Sequence, residues 1–273
     1  MSTFLKRHAL VAYFVLAIAF SWLIYIPLVF QRQGWASTNI PYSLHYIASF
    51  GPMLAAILLT AVISGQEGLR ELWSRITRWR VPWPYAAFAI FSPLLLFAFA
   101  AVVIRITQGA WPDLSLLGQD NYLPYLGWGV LLIWLITFGF GEEIGWRGFA
   151  LPCMQRTMSV SKATLLLGLL WALWHVPSFF YHETYVGMSW FIFPGFIFGV
   201  LCGAVLFTWL YNGTGGSVLM VAIWHALFDL LTASKAGQDT IPILTSAGVI
   251  VFALFVANVN RPWGFRYQQK QIL

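Results

Sequence analysis

The stretch ALVAYFVLAIAFSWLIYIPLVF, residues 9–30, decides what kind of fold this chain can adopt. It contains no charged residue, and a helix needs roughly 20 mostly apolar residues to cross a bilayer. Lys6 and Arg7 precede the run, as in a secretory signal peptide, but the run is too long for the core of such a signal. No small-residue cleavage site follows it either. We therefore predict a transmembrane helix that is retained.

The rest of the chain has a similar composition. Of its 273 residues, 60% are hydrophobic and 9% are charged, and the mean hydropathy is +0.76. Ordinary globular domains carry about 25% charged residues. We therefore predict an all-α polytopic membrane protein, a bundle with an interior polar cavity that forms one transmembrane domain over residues 1–273. About eight spans are long enough, and they cover residues 9–30, 43–64, 84–105, 123–146, 161–178, 189–211, 216–233 and 240–258.

The basic residues are distributed unevenly between the two sides of these spans. With the N-terminus inside, twelve of the fifteen fall in cytoplasmic segments, as the positive-inside rule requires. We therefore expect an integral protein of a bacterial-type cell membrane with both termini cytoplasmic, and the net charge of +6 does not indicate a nucleic-acid partner. The twelve residues are Lys6, Arg7, Arg70, Arg75, Arg78, Arg80, Arg147, Arg156, Lys162, Arg261, Arg266 and Lys270.

Two further segments have recognisable patterns. Residues 67–83 mix Arg, Leu and Trp at near-helical spacing, which predicts an amphipathic segment at the cytoplasmic headgroups, with anchoring favoured over substrate docking. Span six carries Gly195, Gly199 and Gly203, a stripe of small residues that lets another helix pack closely. Packing within the chain and homodimerisation both fit the stripe, so the oligomeric state stays open.

Ionisable side chains at predicted membrane depth are the strongest functional signal. Each costs about 2.5–3.5 kcal/mol at the centre of a span for Asp or a basic residue, and such groups usually mark function. Glu143 and Arg147 are spaced i, i+4 in the favourable order for an ion pair. On a regular helix Glu142 lies about 140° from Arg147, so we predict that it faces elsewhere and is available for chemistry. The motif-bearing core, about residues 123–233, holds Glu142, Glu143, Arg147, His175, His225 and Asp229.

The two histidines of this core lie on two other spans. His225 and Asp229 share a helix face, so the carboxylate can orient the imidazole. Trp171 and His175 also share a face, which predicts that the indole packs against the imidazole. A free glutamate, an aspartate and two histidines can together activate a water molecule. Ser217 is the candidate N-cap of span seven.

A common site for these residues requires one departure from straight spans. Glu142 lies late in span four and His175 lies late in span five, which runs the opposite way, so regular helices would separate them along the membrane normal. We therefore expect span four to continue past Arg147 towards Pro152, with FGEEIGWRGFAL (140–151) helical throughout.

Three motifs in this core resemble those of a known family. EEIGWR (142–147) is similar to the EExxxR motif of the CPBP family, the CAAX-protease and bacteriocin-processing membrane proteins, which include the type II CAAX prenyl endopeptidases. WALWH (171–175) resembles the second motif, with Trp171 in place of the more usual Phe, and HALFD (225–229) resembles the third. The resemblance covers about residues 138–233. Asn212, in YNGTGGSV (211–218), lies in a stretch similar to one that precedes the last motif of the family, and is a candidate cavity residue.

The resemblance implies an intramembrane glutamate-dependent endopeptidase that acts on a hydrophobic or prenylated peptide among membrane lipids. By the same resemblance, Glu142 activates the water with the help of His175, while His225 and Asp229 hold the oxyanion of the tetrahedral intermediate. Asp229 stands where the family has Asn or Asp, and an ionised Asp has no donor for an oxyanion. Asp229 therefore either orients His225 or is protonated through burial.

Three other functions stay open at this stage. A zinc metalloprotease would use two histidines and two carboxylates as ligands, although the chain has no H-E-x-x-H motif. A transporter or proton relay would use the same buried ionisable groups. A non-catalytic scaffold or immunity protein of the same family would keep the motifs without the reaction. We predict no cofactor, with zinc not excluded.

Overall fold

The computed structural model describes residues 6–37, 39–187, 193–237 and 240–259. Within these ranges the chain is helical and contains no β-strand. Arg261, Arg266 and Lys270, and the first residues of predicted span six, lie outside them. The helices are α1 (Ala9–Arg32), α2 (Leu44–Ala48), α3 (Gly51–Ile76), α4 (Trp83–Gln108), α5 (Gly127–Thr157), α6 (Val160–Trp174), α7 (Glu183–Val186), α8 (Phe193–Gly213), α9 (Val218–Thr232) and α10 (Thr240–Val259).

The prediction of an all-α polytopic membrane protein is confirmed. Seven helical segments of the described chain are long and apolar enough to cross a membrane, counting α2 with α3 and counting α6 with the 3₁₀ turn Val176–Phe180 that follows it. The eighth, α9, is apolar but has only 15 residues. At 1.5 Å per residue it spans about 22 Å, which is less than a hydrocarbon core of about 30 Å.

Helix α5, which carries EEIGWR, packs between α3 and α9. It does not end at residue 146 but continues to Thr157, so the expectation that span four runs past Arg147 is confirmed. Two of its stretches, Leu135–Glu142 and Trp146–Ala150, are π-helical, with i→i+5 hydrogen bonds. Pro152 stands in the first turn of the last α-helical stretch, Leu151–Thr157, and because it has no N–H it cannot give the oxygen of Gly148 an α-helical hydrogen bond.

Close backbone approach fixes the position of α5 against α1 and α3. A Cβ atom at Gly145 would overlap the hydroxyl of Tyr13 and would lie 2.5 Å from Cβ of Pro52. The Tyr13 ring, which is fully buried, also packs at 5.8 Å from the ring of Trp146 and at 5.1 Å from that of Phe149. Glycine at position 145 therefore lets three helices meet at the segment that carries the first motif.

The N-terminus of α9 is capped as predicted. The Ser217 side-chain oxygen accepts a hydrogen bond from the backbone N–H of Met220 at 3.2 Å. This contact satisfies one of the four backbone N–H groups that a helix start leaves without an intrahelical partner. The cap therefore sets where the helix of the third motif begins.

Helix α3 extends well beyond the predicted end of span two at residue 64. It is broken once, at Gly65, whose φ of 59° and ψ of −147° are not helical, and it then resumes as far as Ile76. The predicted segment 67–83 is thus the last part of α3 and the chain that leads into α4. Trp73, Trp79 and Trp83 are exposed on it. Its place at the headgroups stays a prediction.

The glycine stripe of span six makes little close contact within the described chain. A Cβ atom at Gly195 or Gly199 would meet no described atom within 4 Å, and one at Gly203 would lie 3.8 Å from the Trp171 ring. Close packing of the stripe inside the chain is therefore limited to Gly203. The oligomeric state stays open.

Gly145→Ala is expected to lower the free energy of unfolding by about 1–3 kcal/mol, because the added methyl group overpacks the contact with α1 and α3. Thermal unfolding of the purified protein in detergent measures this loss. Gly199→Ala is the matched control, since its methyl group enters open space. Equal stability of the Gly145→Ala protein and the wild type would contradict the close approach.

Candidate active site

A buried ion pair on α5 forms the centre of the site. Arg147 Nη1 donates hydrogen bonds to both carboxylate oxygens of Glu143, each at 2.9 Å, and neither side chain is exposed. The guanidinium carbon lies 4.7 Å from the ring centroid of Trp171 and 4.6 Å from that of Phe207, which adds cation–π attraction. The predicted pair is confirmed. The contact of Phe207 with Arg147 was not predicted, because an apolar residue in an apolar helix does not stand out in the sequence.

His225 links this ion pair to the third motif. Its Nδ1 lies 3.1 Å from Glu143 Oε1, and its Nε2 lies 3.6 Å from Asp229 Oδ2. The predicted proximity of His225 and Asp229 is confirmed. The contact with Glu143 was not predicted, because it depends on how α9 is rotated against α5, and helical periodicity within one span does not show this.

Glu142 accepts a hydrogen bond from a neutral donor. The indole Nε1 of Trp171 donates to Glu142 Oε2 at 2.8 Å, and the Glu142 side chain is buried. Ligand atoms of Glu142, Glu143 and His225 all lie within 4.8 Å of one another. Adjacent residues point about 100° apart on a regular helix, and one oxygen of each carboxylate reaches this cluster.

His175 joins the cluster through Trp171. Its Nδ1 lies 2.8 Å from the backbone oxygen of Trp171, and its ring lies 5.7 Å from the indole, as predicted. Because a carbonyl oxygen only accepts, Nδ1 must carry a hydrogen, and in the neutral ring Nε2 then has a free lone pair. The centroid of the His175 ring also lies 4.8 Å from that of Trp174 and 5.6 Å from that of Phe196.

Asn212 is buried near the C-terminus of α8. Neither atom of its side-chain amide has a hydrogen-bond partner among the described residues. A buried amide without partners is typical of a place that water or a ligand occupies. Its assignment to the cavity stays a prediction.

The donor set Glu142, Glu143 and His225 can be compared with a metal site. Two carboxylates and an imidazole are ligands that zinc accepts. However, one guanidinium nitrogen already holds both oxygens of Glu143, so a divalent cation on that carboxylate would stand beside a buried positive charge. The residues therefore fit a divalent metal ion poorly.

The fold defines a polytopic membrane protein, and α5, α6 and α9 bring a buried cluster of ionisable side chains together inside it. Residues 124–231 match the family of type II CAAX prenyl endopeptidases, Rce1-like, which confirms the resemblance found in the three motifs. Over 143 residues, half of this chain, the sequence is 32% identical to CAAX prenyl protease 2 of Methanococcus maripaludis. The match covers 51% of that relative, so the chain spans about half the length of the curated relative it matches.

Arg147→Met is expected to destabilise the protein by about 3–5 kcal/mol, because it leaves the buried carboxylate of Glu143 without its cation. Adding Glu143→Gln removes that charge and should restore part of the loss, so the two changes are not additive. Unfolding in detergent of the single and double variants measures the coupling. Arg70→Met, on an exposed position of α3, is the control. Simple additivity of the two site changes would show that the pair is not the source of the effect.

Proposed function

We propose that this protein is an intramembrane endopeptidase of the CAAX type, which hydrolyses a peptide bond with a water molecule that Glu142 activates. The observation that carries the proposal is the unequal pairing of two adjacent buried carboxylates. Glu143 is bound to Arg147 and contacts His225, whereas Glu142 accepts its hydrogen bond from the neutral indole N–H of Trp171. A general base must keep lone pairs for the proton that it removes.

Proton transfer by Glu142 accounts for both halves of the reaction. Its carboxylate takes a proton from water as the water oxygen bonds to the scissile carbonyl carbon. The tetrahedral intermediate then collapses, the C–N bond breaks, and the same carboxyl group gives the proton to the leaving amine. His175 orients the water: its Nε2 accepts a hydrogen bond from the second O–H of the water. The contact of Nδ1 with the Trp171 carbonyl leaves the lone pair of Nε2 free for this role.

His225 is the donor that we assign to the oxyanion. Its Nδ1–H is directed to Glu143 at 3.1 Å, which fixes the ring. The 3.6 Å between Nε2 and Asp229 Oδ2 is longer than a hydrogen bond. Asp229 therefore attracts the Nε2–H group without forming a hydrogen bond to it. The Nε2–H group can instead donate a hydrogen bond to a developing oxyanion. Both roles left open for Asp229, orientation of His225 and protonation through burial, are compatible with this distance.

An isoprenylated peptide is the substrate class that we propose, because the matched family and the named relative both concern prenyl endopeptidases. An aromatic cluster beside His175 offers an apolar surface for the isoprenoid chain of such a substrate. Phe179 lies at 4.9 Å from Phe196 and at 5.0 Å from Tyr185, and Phe196 contacts His175. We also propose that both termini are cytoplasmic, on the distribution of basic residues.

Glu142→Gln is expected to abolish cleavage of a prenylated CAAX peptide, a loss of at least about 10³-fold, because the amide cannot take the proton from water. His225→Ala should be inactive, while Asp229→Asn should retain cleavage. Reconstituted protein and mass spectrometry of the peptide products give the measurement, with Glu67→Gln, on an exposed position of α3, as a control outside the site.

Cleavage by the Glu142→Gln protein would overturn the glutamate mechanism. Loss of wild-type cleavage with a chelator, restored by zinc, would favour the metalloprotease instead. A wild-type protein that cleaves nothing but moves protons or ions across liposomes would favour the transporter, and one that does neither would favour the scaffold.

Phe196→Ala should raise KM for the prenylated peptide about tenfold and leave kcat within about twofold, because it removes aromatic surface beside the site but no reacting group. Phe198→Ala, on a more exposed position of α8, is the matched control. A peptide without the isoprenoid should show no difference between the two variants. An equal rise in KM for both peptides would contradict this location for the apolar chain.

A further inference from the structure

Helix α5 has a backbone carbonyl that its own helix cannot satisfy in the α-helical way. In an α-helix the oxygen of Gly148 would accept from the N–H of residue 152. That residue is Pro152, which has no N–H. Gly148 lies in the π-helical stretch Trp146–Ala150, where i→i+5 bonding offers its oxygen the N–H of Cys153, and the second lone pair of a buried carbonyl oxygen can accept from a further donor.

Arg75, from the end of α3, supplies this donor. Its Nη1 donates to the Gly148 oxygen at 2.7 Å, and its side chain is buried. Glu71, one turn earlier on the same helix, contacts Arg75 Nε at 3.2 Å and so directs the guanidinium towards α5. Gly148 is the residue directly after Arg147, so the contact acts next to the centre of the site.

The same part of the chain also contacts the helix of the third motif. The Ser217 hydroxyl, at the start of α9, donates to the backbone oxygen of Arg78 at 2.6 Å. A Cβ atom at Gly148 would lie 3.1 Å from Leu72 Cδ1 and 3.4 Å from Val218 Cγ2, so α3, α5 and α9 meet here. Two hydrogen bonds of independent origin therefore tie residues 71–78 to both helices that carry the carboxylates and His225.

We propose that Arg75 is a positioning residue for the reaction, which holds the EEIGWR segment in register through its hydrogen bond to the Gly148 carbonyl. The proposal rests on the proposed function. It gives the segment 67–83 a second role beside membrane anchoring. Arg75 contacts neither the water nor the substrate. It acts through Gly148 and Arg147 on Glu143, and through Glu143 on the orientation of His225.

Arg75→Met tests the proposal directly. It should lower kcat about 10- to 100-fold, the range expected when reacting groups are slightly misplaced, while KM stays within about twofold. Arg75→Lys, which keeps one charged donor, should lie between this variant and the wild type. Arg70→Met, on the exposed face of the same helix, should not differ from the wild type.

Pro152→Ala separates positioning from general loss of structure. Alanine supplies a backbone N–H at residue 152 that can bond to the Gly148 oxygen within α5. In the Arg75→Met background, this second change should recover at least about tenfold in kcat. Absence of any recovery, or a wild-type kcat for Arg75→Met alone, would overturn the proposal.

Cys153 gives a readout that does not depend on catalysis. It lines a cavity of about 30 Å³ together with Arg75, Gly148 and Pro152. The chain has two cysteines, so Cys202→Ser leaves Cys153 as its one thiol. In this background Arg75→Met should raise the rate of Cys153 alkylation by a maleimide at least about tenfold, because local opening of α5 around Gly148 exposes the thiol. Adding Pro152→Ala should reverse this rise.

The kcat of peptide cleavage and the rate of Cys153 alkylation together distinguish failure of the proposed function from failure of the positioning role. If the wild type cleaves no prenylated peptide, the proposed function fails, and alkylation of Cys153 still tests the contact. If the wild type is active and Arg75→Met matches it in kcat and alkylation, only the positioning role fails. If Arg75→Met does not fold, Arg75→Lys and its combination with Pro152→Ala decide by the same two measurements.

Discussion

The Glu143–Arg147 pair is the interaction on which the rest of the site depends. A charge at membrane depth is costly unless an opposite charge and hydrogen bonds compensate it. Arg147 gives Glu143 both, at 2.9 Å, and is itself held between two aromatic rings from α6 and α8. Because His225 contacts the same carboxylate, α9 is fixed to this pair as well. One ion pair thus joins four helices of the bundle.

The same pair gives the two adjacent glutamates different surroundings. The charge of Glu143 is taken up by Arg147 and by the contact with His225, so this residue holds the geometry. Glu142 is left with a neutral donor from Trp171, whose backbone oxygen also fixes the ring of His175. Trp171 therefore contacts both Glu142, the proposed base, and His175. A phenylalanine, more usual at this position of the second motif, could provide only the backbone contact.

Much of this arrangement follows from sequence, and the remainder depends on tertiary contacts. Apolar length predicted the spans, i, i+4 spacing predicted Glu143 with Arg147, and Ser217 was recognisable as a cap. The π-helical stretch that ends at Glu142 has no simple sequence pattern. The contact between His225 and Glu143 depends on the rotation of one helix against another. The contact between Arg75 and Gly148 has one correlate in the sequence, since Pro152, four residues after Gly148, has no N–H for an α-helical hydrogen bond to its oxygen.

The two halves of α5 are held by different forces, and the difference follows from where the charges lie. Before the motif, close backbone approach is sufficient: a Cβ atom at Gly139 would lie 2.9 Å from the Ala222 oxygen, and one at Gly141 would lie 3.0 Å from the Ser49 oxygen. After the motif, Pro152 removes the α-helical hydrogen bond to the Gly148 oxygen, and only a further donor, not close packing, can take its place. Arg75 can be that donor because it comes from the end of α3, a segment predicted to lie at the headgroups, where its charge is less costly than at the bilayer centre.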